Sequence, residues 1–306
     1  FSSYKVNDNP LVLTVEAVDF QIRQLDLGKA AGCDGILLEH ILYAHPIVTV
    51  LMTCIFNACL KVGYVPSLFS QGIITPILKG SVADKTIIDN YRGITISSIS
   101  SKIFEKCLLP LFGDTLNSSE LQFGFKSGVG CRDAIFTART VSDYFVERGS
   151  TVNLCALDLS KAFDKVDHFI LFKKLLDRNV PRCIVQLLVN WYSKCSVRVK
   201  CCDELSDEFA VCSGVRQGGV LSPILFAVYI DDLINKLRNS GRGSRINGVF
   251  LGCIVYADDI LLISNSFEDM QCMLDICFKE ALCLGMSFNV KKSFYIRCGV
   301  RAKVVC

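Results

Sequence analysis

Histidine and net charge are scarce in this chain, paired-cysteine spacing is missing, and no apolar run is both long and unbroken. Each scarcity removes a class of protein. The three histidines, His40, His45 and His168, complete no zinc pattern, and none of the 17 cysteines stands in a Cys-x-x-Cys pair. Seventeen thiols cannot all pair within one chain, so they read as small buried hydrophobes in a reducing, intracellular compartment. A net charge of +3 provides no broad basic surface, and any affinity for phosphate has to come from local clusters. A hydrophobic content of 51% and a mean hydropathy of +0.40 raise the question of a membrane protein. Residues 47–60 and 220–230 are the most apolar stretches, but Thr49, Thr53 and Asn57 interrupt the first and Pro223 the second. Neither reaches spanning length, and both read as buried helices. No basic segment with an apolar core and cleavage site opens the chain, so secretion is not expected. The chain begins on Phe1 rather than Met, as a fragment does, and no repeat, low-complexity run or linker divides it. Its 306 residues can bury a sizeable core, as one large domain or two subdomains.

What is present is organised around residues 252–263. Two runs of β-branched and aliphatic residues flank Tyr256-Ala257-Asp258-Asp259, which predicts a β-hairpin with adjacent carboxylates at its tip. No Arg, Lys or His is an immediate sequence neighbour, and unpaired buried charge is costly, so a bound cation is the economical partner. Asp is also a common turn residue, and Asp231-Asp232 shows how readily the pair occurs. A second carboxylate strand decides the matter. Residues 152–158 alternate so that Val152, Leu154, Ala156 and Asp158 share a face, with the carboxylate ending an apolar row. Asp164 and Asp167 belong to the helix start beyond it, Asp167 as N-cap.

Helical spacing also covers residues 16–27, 97–111, 132–146, 169–177, 182–192, 222–239 and 269–285. Residues 71–80 read as a strand ending in a turn. Residues 196–200 and 208–213 read as a hairpin with Cys201-Cys202-Asp203-Glu204 in an exposed loop. The glycine-rich loop from Gly28 to Gly35 lacks the Gly-Lys-Ser/Thr ending and preceding strand of a P-loop, which argues against an NTPase.

Three blocks carry a family resemblance. They are the run Ala156-Leu157-Asp158-Leu159-Ser160-Lys161-Ala162-Phe163-Asp164 that continues to His168, the run Gly214-Val215-Arg216-Gln217-Gly218-Gly219 that continues to Pro223, and Tyr256-Ala257-Asp258-Asp259. In this order and spacing they resemble the signature blocks of reverse transcriptases, most closely those of non-LTR (LINE-type) retrotransposons. The likeness runs from about Gly28 to about Ser293. It implies an α+β fold, the fingers and palm of a right-hand polymerase, with an antiparallel palm sheet backed by helices. The division it implies is an N-terminal extension and fingers over 1–120, palm over 121–164 and 211–306, and an insertion over 165–210. Only about a dozen residues follow Lys292, so the thumb is expected to be largely absent and primer-template binding weak and salt-sensitive.

The resemblance also assigns roles. Asp158, Asp258 and Asp259, with the Leu159 carbonyl, would hold two Mg²⁺ ions, with Mn²⁺ as substitute, and Lys292 would protonate the departing pyrophosphate. Asp158 and Asp258 would be the bridging pair; Asp259, pointing the other way if the strand stays regular, would be the weaker ligand. Lys79 and Arg92 would bind the triphosphate, although by themselves they read equally as solvated charges. Gln217 and Gly218 would pack against nucleotide and template, next to Tyr256 and Ala257 in the substrate-binding set. Phe163 would exclude a 2′ hydroxyl, although a Phe in an apolar stretch is more often core. The partners implied are an RNA template, a DNA primer and dNTPs, with no membrane, in a retroelement ribonucleoprotein of nucleus and cytoplasm. Two other readings stand beside this one: a decayed or domesticated nucleic-acid-binding copy, and an intron-maturase-like RNA-binding protein.

Overall fold

The computed structural model describes residues 11–80, 84–202 and 204–299; Asp203, assigned above to an exposed loop, falls outside them. Helix α1 (Val15–Arg23) begins where the Thr14 hydroxyl accepts from the Ala17 N–H, and α2 (Leu38–Leu42), α3 (Ile47–Val62) and α4 (Ser67–Ser70) follow. Strands β1 (Gln71–Leu78) and β2 (Tyr91–Ser97) form a hairpin that leads into α5 (Ile99–Phe112), α6 (Cys131–Glu147) and β3 (Val152–Asp158). Asp167 caps α7 (His168–Asp177), its carboxylate accepting from the Ile170 N–H at 2.9 Å. Next come α8 (Arg182–Tyr192), β4 (Ser196–Cys201), β5 (Glu204–Leu205), β6 (Phe209–Ala210) and α9 (Ser222–Asn239). The remaining elements are β7 (Arg245–Ile246), β8 (Val249–Phe250), β9 (Cys253–Tyr256), β10 (Asp259–Ser264), α10 (Phe267–Cys283) and β11 (Phe294–Cys298).

Four expectations change. Nine cysteines among the described residues are exposed rather than buried, so burial does not account for their number. Helix α3 is buried on one side only and leaves Ile47, Leu51 and Ile55 exposed. Helix α1 stops at Arg23, short of residue 27. The hairpin expected from residues 196–200 and 208–213 is split: β4 pairs antiparallel with β6 through Ser196 and Val197, and with β5 through Lys200 and Cys201. Part of the presumed exposed loop is therefore strand, a division that alternation alone cannot show.

The chain forms two compact units, residues 1–116 with 171–222 and residues 117–170 with 223–306. The first contains a mixed sheet in the order β2-β1-β4-β5, with β6 also on β4; β1 is antiparallel to β2 and parallel to β4. Its core is aromatic. Phe56 stacks on Phe104 at 4.8 Å, Phe104 stacks on Trp191 at 5.7 Å, and the Trp191 indole N–H donates to the Phe69 carbonyl at 3.0 Å. Each such pair adds about 0.5–1.5 kcal/mol beyond the area it buries.

The second unit is built on an antiparallel sheet in the order β11-β3-β10-β9. On one face α6 lies against β9 and β3, and Ala134 and Val141 cover Val152, Ile254 and Ile263. The residues between these along the strands, Cys155, Leu157, Ile260 and Leu262, are also buried, with α10 packed on β10 and β3. Burial on both faces explains why these strands read as nearly continuous apolar runs. Within each unit the α+β class holds, and in the second the antiparallel sheet is backed by helices, as expected. No helix among the described residues is long and apolar enough to cross a membrane.

Candidate active site

β9 and β10 turn in two residues. Tyr256 and Asp259 are cross-strand partners, which leaves Ala257 and Asp258 as the turn itself. Ala257 has φ 57°, as the first central position of a type II′ turn requires, and glycine would be the easier residue there. On its other side β10 pairs with β3, with Asp259 directly opposite Asp158. Directly opposed residues of an antiparallel pair point to the same face, so Asp158, Asp259 and Tyr256 share one. This corrects the expectation that Asp259 points away. The two-residue turn restarts the alternation at Asp259, whereas the regular-strand reading carried it unbroken through Asp258.

Beyond this end of α6 the sheet face opens. Along β3, Val152 is buried, Leu154 half-buried and Ala156 exposed, and the row ends at the half-buried Asp158. The opening is a groove of about 490 Å³ in which Asp158, Asp259, Tyr256 and Lys292 line a surface otherwise made by Ile135, Phe294 and their neighbours. The Asp259 carboxyl is pushed above the ordinary carboxylate range, first by partial burial, then by the charges of Asp258 and Asp158; Lys292 pulls the other way. Both neighbouring carboxylates therefore act on Asp259. No group of three or more His, Cys, Asp or Glu side chains among the described residues forms a metal cage. A cation that keeps substrate phosphates among its ligands needs only one or two carboxylates, and hard carboxylate oxygens are the donors that Mg²⁺ takes. The donor set fits.

The backbone around Asp158 is clasped. Its carbonyl accepts from the Asn289 N–H at 2.8 Å, its N–H donates to the Ser293 hydroxyl at 3.3 Å, and that hydroxyl donates to the Asn289 carbonyl at 2.9 Å. The same turn, Val290–Lys292, carries Lys292. Sequence reading assigned Lys292 but passed over Asn289 and Ser293, which hold the backbone of Asp158 from far away in the chain. Leu159 is buried and bridges to Phe288. Phe163 stacks on the fully buried Phe226 at 4.6 Å and meets the edge of Phe125 at 5.9 Å, yet it is only half-buried. Its ring is fixed and partly presented.

In the first unit, Lys79 and Arg92 stand at one end of the β1–β2 hairpin. Arg92 is opposite Ile77, and the Lys79 N–H continues the ladder to the Asn90 carbonyl at 2.8 Å, which puts the two exposed cations on one side of the hairpin. The Lys79 ammonium also donates to the Asp89 carbonyl at 2.7 Å. The Gln217-Gly218 loop is pinned to β2, with the Gln217 carbonyl accepting from the Thr95 N–H at 2.7 Å. Gly218 has φ 119°, and a Cβ there would lie 2.5 Å from the Thr95 carbonyl oxygen. Only glycine fits this approach.

The loop has a second anchor that sequence reading missed. One Glu105 carboxylate oxygen accepts from Arg216 at 2.6 Å; the other accepts from the Val220 and Leu221 N–H groups at 2.5 and 3.0 Å. Arg216 also donates to the Phe69 carbonyl at 2.9 Å and lies 5.4 Å from the Trp191 ring centroid. Arg216 and Glu105 expose 8% and 3% of their side chains, so the pair is almost wholly withdrawn from water. Burial works most strongly against the guanidinium's charge, but the Glu105 carboxylate, together with Cys195 and Tyr192, outweighs it, so the pKa of Arg216 is raised. Nothing in the spacing of α5 marks Glu105 as other than one more helical residue.

Comparison with known proteins bears on the whole chain. Residues 77–301 match the family described as "Reverse transcriptase (RNA-dependent DNA polymerase)". The Pol polyprotein of the type-2 retrotransposable element R2DM of Drosophila melanogaster is 25% identical over 288 residues, covering 94% of this chain and 27% of that protein. The RNA-directed DNA polymerase from the mobile element jockey of Drosophila funebris is 28% identical over 295 residues, covering 92% and 31%. Among solved structures, apo telomerase from Candida tropicalis, truncated from its C-terminal domain, superposes with a TM-score of 0.56 at 14% identity, over 84% of this chain and 56% of that one. The chain thus spans between a quarter and a third of these two relatives. At 14% identity the telomerase likeness speaks for the fold alone, that of a fingers-palm polymerase. The matched residues include Lys79, all of β2 with Arg92, the Gln217-Gly218 loop and the carboxylate turn, and on that match the chain belongs to the reverse transcriptase family.

Proposed function

We propose that the chain is an RNA-directed DNA polymerase of the non-LTR retrotransposon kind, extending a DNA primer along an RNA template with dNTPs. The observation that carries this reading is the strand register that faces Asp259 with Asp158 and sets Asp258 in the turn beside them. Reverse transcriptases generally use divalent metal. Here Asp158, Asp258 and Asp259, with the Leu159 carbonyl, would hold two Mg²⁺ ions. Bound metal of this kind makes the primer 3′ hydroxyl a better nucleophile and stabilises the leaving pyrophosphate.

The chain's own groups do the rest. Lys292, lining the same groove as Asp158 and Asp259, supplies a proton to the departing pyrophosphate. Lys79 and Arg92 bind the triphosphate, for which a guanidinium offers paired donors and an ammonium a compact charge. Gln217 and Gly218 bring backbone close to nucleotide and template. Tyr256 and Ala257 belong to the substrate-binding set, and Phe163, braced by Phe226, leaves no room for a 2′ hydroxyl. In the cell the protein works in a retroelement ribonucleoprotein of nucleus and cytoplasm.

Single-nucleotide incorporation at low ionic strength, with excess primer on an RNA template, tests the reading. Incorporation of dNTP should depend on Mg²⁺ or Mn²⁺ and stop with a chelator. RNA binding without metal-dependent incorporation would instead place the chain with domesticated copies or maturases.

A further inference from the structure

Residues 119–125 run beside β9, outside the sheet's four strands. The Val255 N–H donates to the Leu121 carbonyl at 2.8 Å, the Phe123 N–H donates to the Val255 carbonyl at 2.7 Å, and Gln122 lies opposite Val255 in a parallel bridge. This short arm is anchored at its far end. The Ser119 N–H donates to the buried Asp231 carboxylate at 2.6 Å, Arg238 pairs with Glu120, and the Lys126 ammonium is taken up by the Ser118 and Ser119 carbonyls. Lys126 thereby closes the arm on itself.

The arm delivers one side chain to the carboxylate turn. Gln122 is fully buried, with 0% of its surface exposed. Its amide oxygen accepts from the Ala257 N–H at 3.1 Å and from the Gly124 N–H at 2.8 Å, and its amide nitrogen donates to the Ala257 carbonyl at 3.4 Å. Both backbone polar groups of Ala257 are thus held by one side chain. Ala257 is the residue that needs holding, because a non-glycine at positive φ persists only where its surroundings over-determine it. The fit is tight from the arm's side as well: a Cβ on Gly124 would lie 2.4 Å from the Ala257 nitrogen. An amide suits the place better than a charged group. It accepts and donates at once, and it adds no charge beside Asp158, Asp258 and Asp259.

We propose that Gln122 is a positioning residue for the metal-binding turn: by fixing both backbone groups of Ala257 it sets the direction in which Asp258 leaves the turn relative to Asp158 and Asp259. The inference rests on the polymerase reading of these carboxylates, and its test does not need catalysis. Partners that orient metal ligands typically contribute ten- to a hundredfold in affinity or activity.

The experiment is a Mn²⁺ titration followed by electron paramagnetic resonance, run with single-nucleotide incorporation on the 306-residue chain. Asp258→Asn defines the site-specific part of the signal. Gln122→Leu keeps the volume and removes every hydrogen bond; Gln122→Glu keeps the acceptor oxygen. The expected order of Mn²⁺ affinity is wild type, then Glu, then Leu, with Leu about tenfold or more weaker and incorporation falling at least in parallel. Circular dichroism should show all three folded. A residue that only fills the core would tolerate Leu and resent a buried Glu, so Leu equal to wild type with Glu below it overturns the proposal. Should Gln122→Leu fail to fold, the comparison of wild type with Gln122→Glu and Gln122→Met stands in, with the same two orders as outcomes. Asp258-dependent Mn²⁺ binding without incorporation would defeat the polymerase reading while leaving the order of affinities to decide this one. No Asp258-dependent binding in the wild type would overturn both.

Discussion

The Gln217-Gly218 loop in the first unit and the Ala257-Asp258 turn in the second solve one problem with different chemistry. Each is a short piece of backbone in a conformation that resists ordinary residues, with φ 119° at Gly218 and 57° at Ala257. Each is held by a buried side chain supplied from more than a hundred residues away in sequence, Glu105 for the loop and Gln122 for the turn. The loop's holder is a carboxylate paired with Arg216; the turn's holder is an amide. The difference follows from what lies nearby. Beside Asp259, already acted on by Asp258 and Asp158, another buried charge would disturb the carboxyl further, whereas the loop has an arginine of its own to neutralise. A buried ion pair is costly to break, and a buried amide is cheaper to lose, so the two regions should fail differently: the loop through stability, the turn through function.

The largest effect expected is on chemistry. Asp158→Asn and Asp258→Asn should each lower incorporation by several kcal/mol of transition-state stabilisation, on the order of 10³-fold, with the fold intact. Since Asp259 lies opposite Asp158, Asp259→Asn is the variant that shows whether register or turn position matters more; incorporation retained within a few-fold would give the chemistry to Asp258.

Glu105→Ala should be the most destabilising single change of those considered, by about 3–5 kcal/mol in urea unfolding, because it strands a buried guanidinium and two N–H groups. Adding Arg216→Met should recover part of that loss. If the double variant is as unstable as the single, the pair is not what holds the loop.

Gly124→Ala sharpens the other side of the comparison. Its Cβ meets the Ala257 nitrogen, so incorporation should drop about ten- to a hundredfold while unfolding shifts by about 1–3 kcal/mol. Gly113→Ala is the matched control, since nothing lies within 4 Å of its Cβ and its backbone is helical; stability should stay within about 0.5 kcal/mol. Equal losses from both glycines would remove the special status of the turn.

Phe163→Val should raise ribonucleotide use relative to deoxyribonucleotide use without abolishing extension. The ring stacks on Phe226 yet remains half-buried, so some stability will be lost with it. Unchanged discrimination in a folded, active variant would return Phe163 to a packing role.

Much of this arrangement was legible beforehand, and the limits of that legibility have physical causes. The carboxylate strands were visible because their residues fit a pleated, buried surface and because polar residues interrupt such runs conspicuously. The direction of Asp259 was not, since one turn residue more or fewer flips every side chain after it. The parallel pairing of β1 with β4 joins segments over a hundred residues apart and leaves no local trace. Glu105 and Gln122 escaped for a related reason. Gln122 serves backbone groups alone, and Glu105 holds the loop through the Val220 and Leu221 N–H groups besides its pairing with Arg216 more than a hundred residues away, so neighbouring residue types carry little record of either contact. The one available sign was Gly124, a glycine two residues after Gln122 that no turn requires and that the approach of Ala257 explains.

The central claim, that Asp158, Asp258 and Asp259 form one divalent-metal site, is tested most directly by anomalous diffraction from crystals of the chain soaked in Mn²⁺. The account predicts a peak at metal–oxygen bonding distance, about 2.0–2.2 Å, from carboxylate oxygens of Asp158 and Asp258, lost in Asp258→Asn. Mn²⁺ bound elsewhere, with none among these three carboxylates, would contradict it.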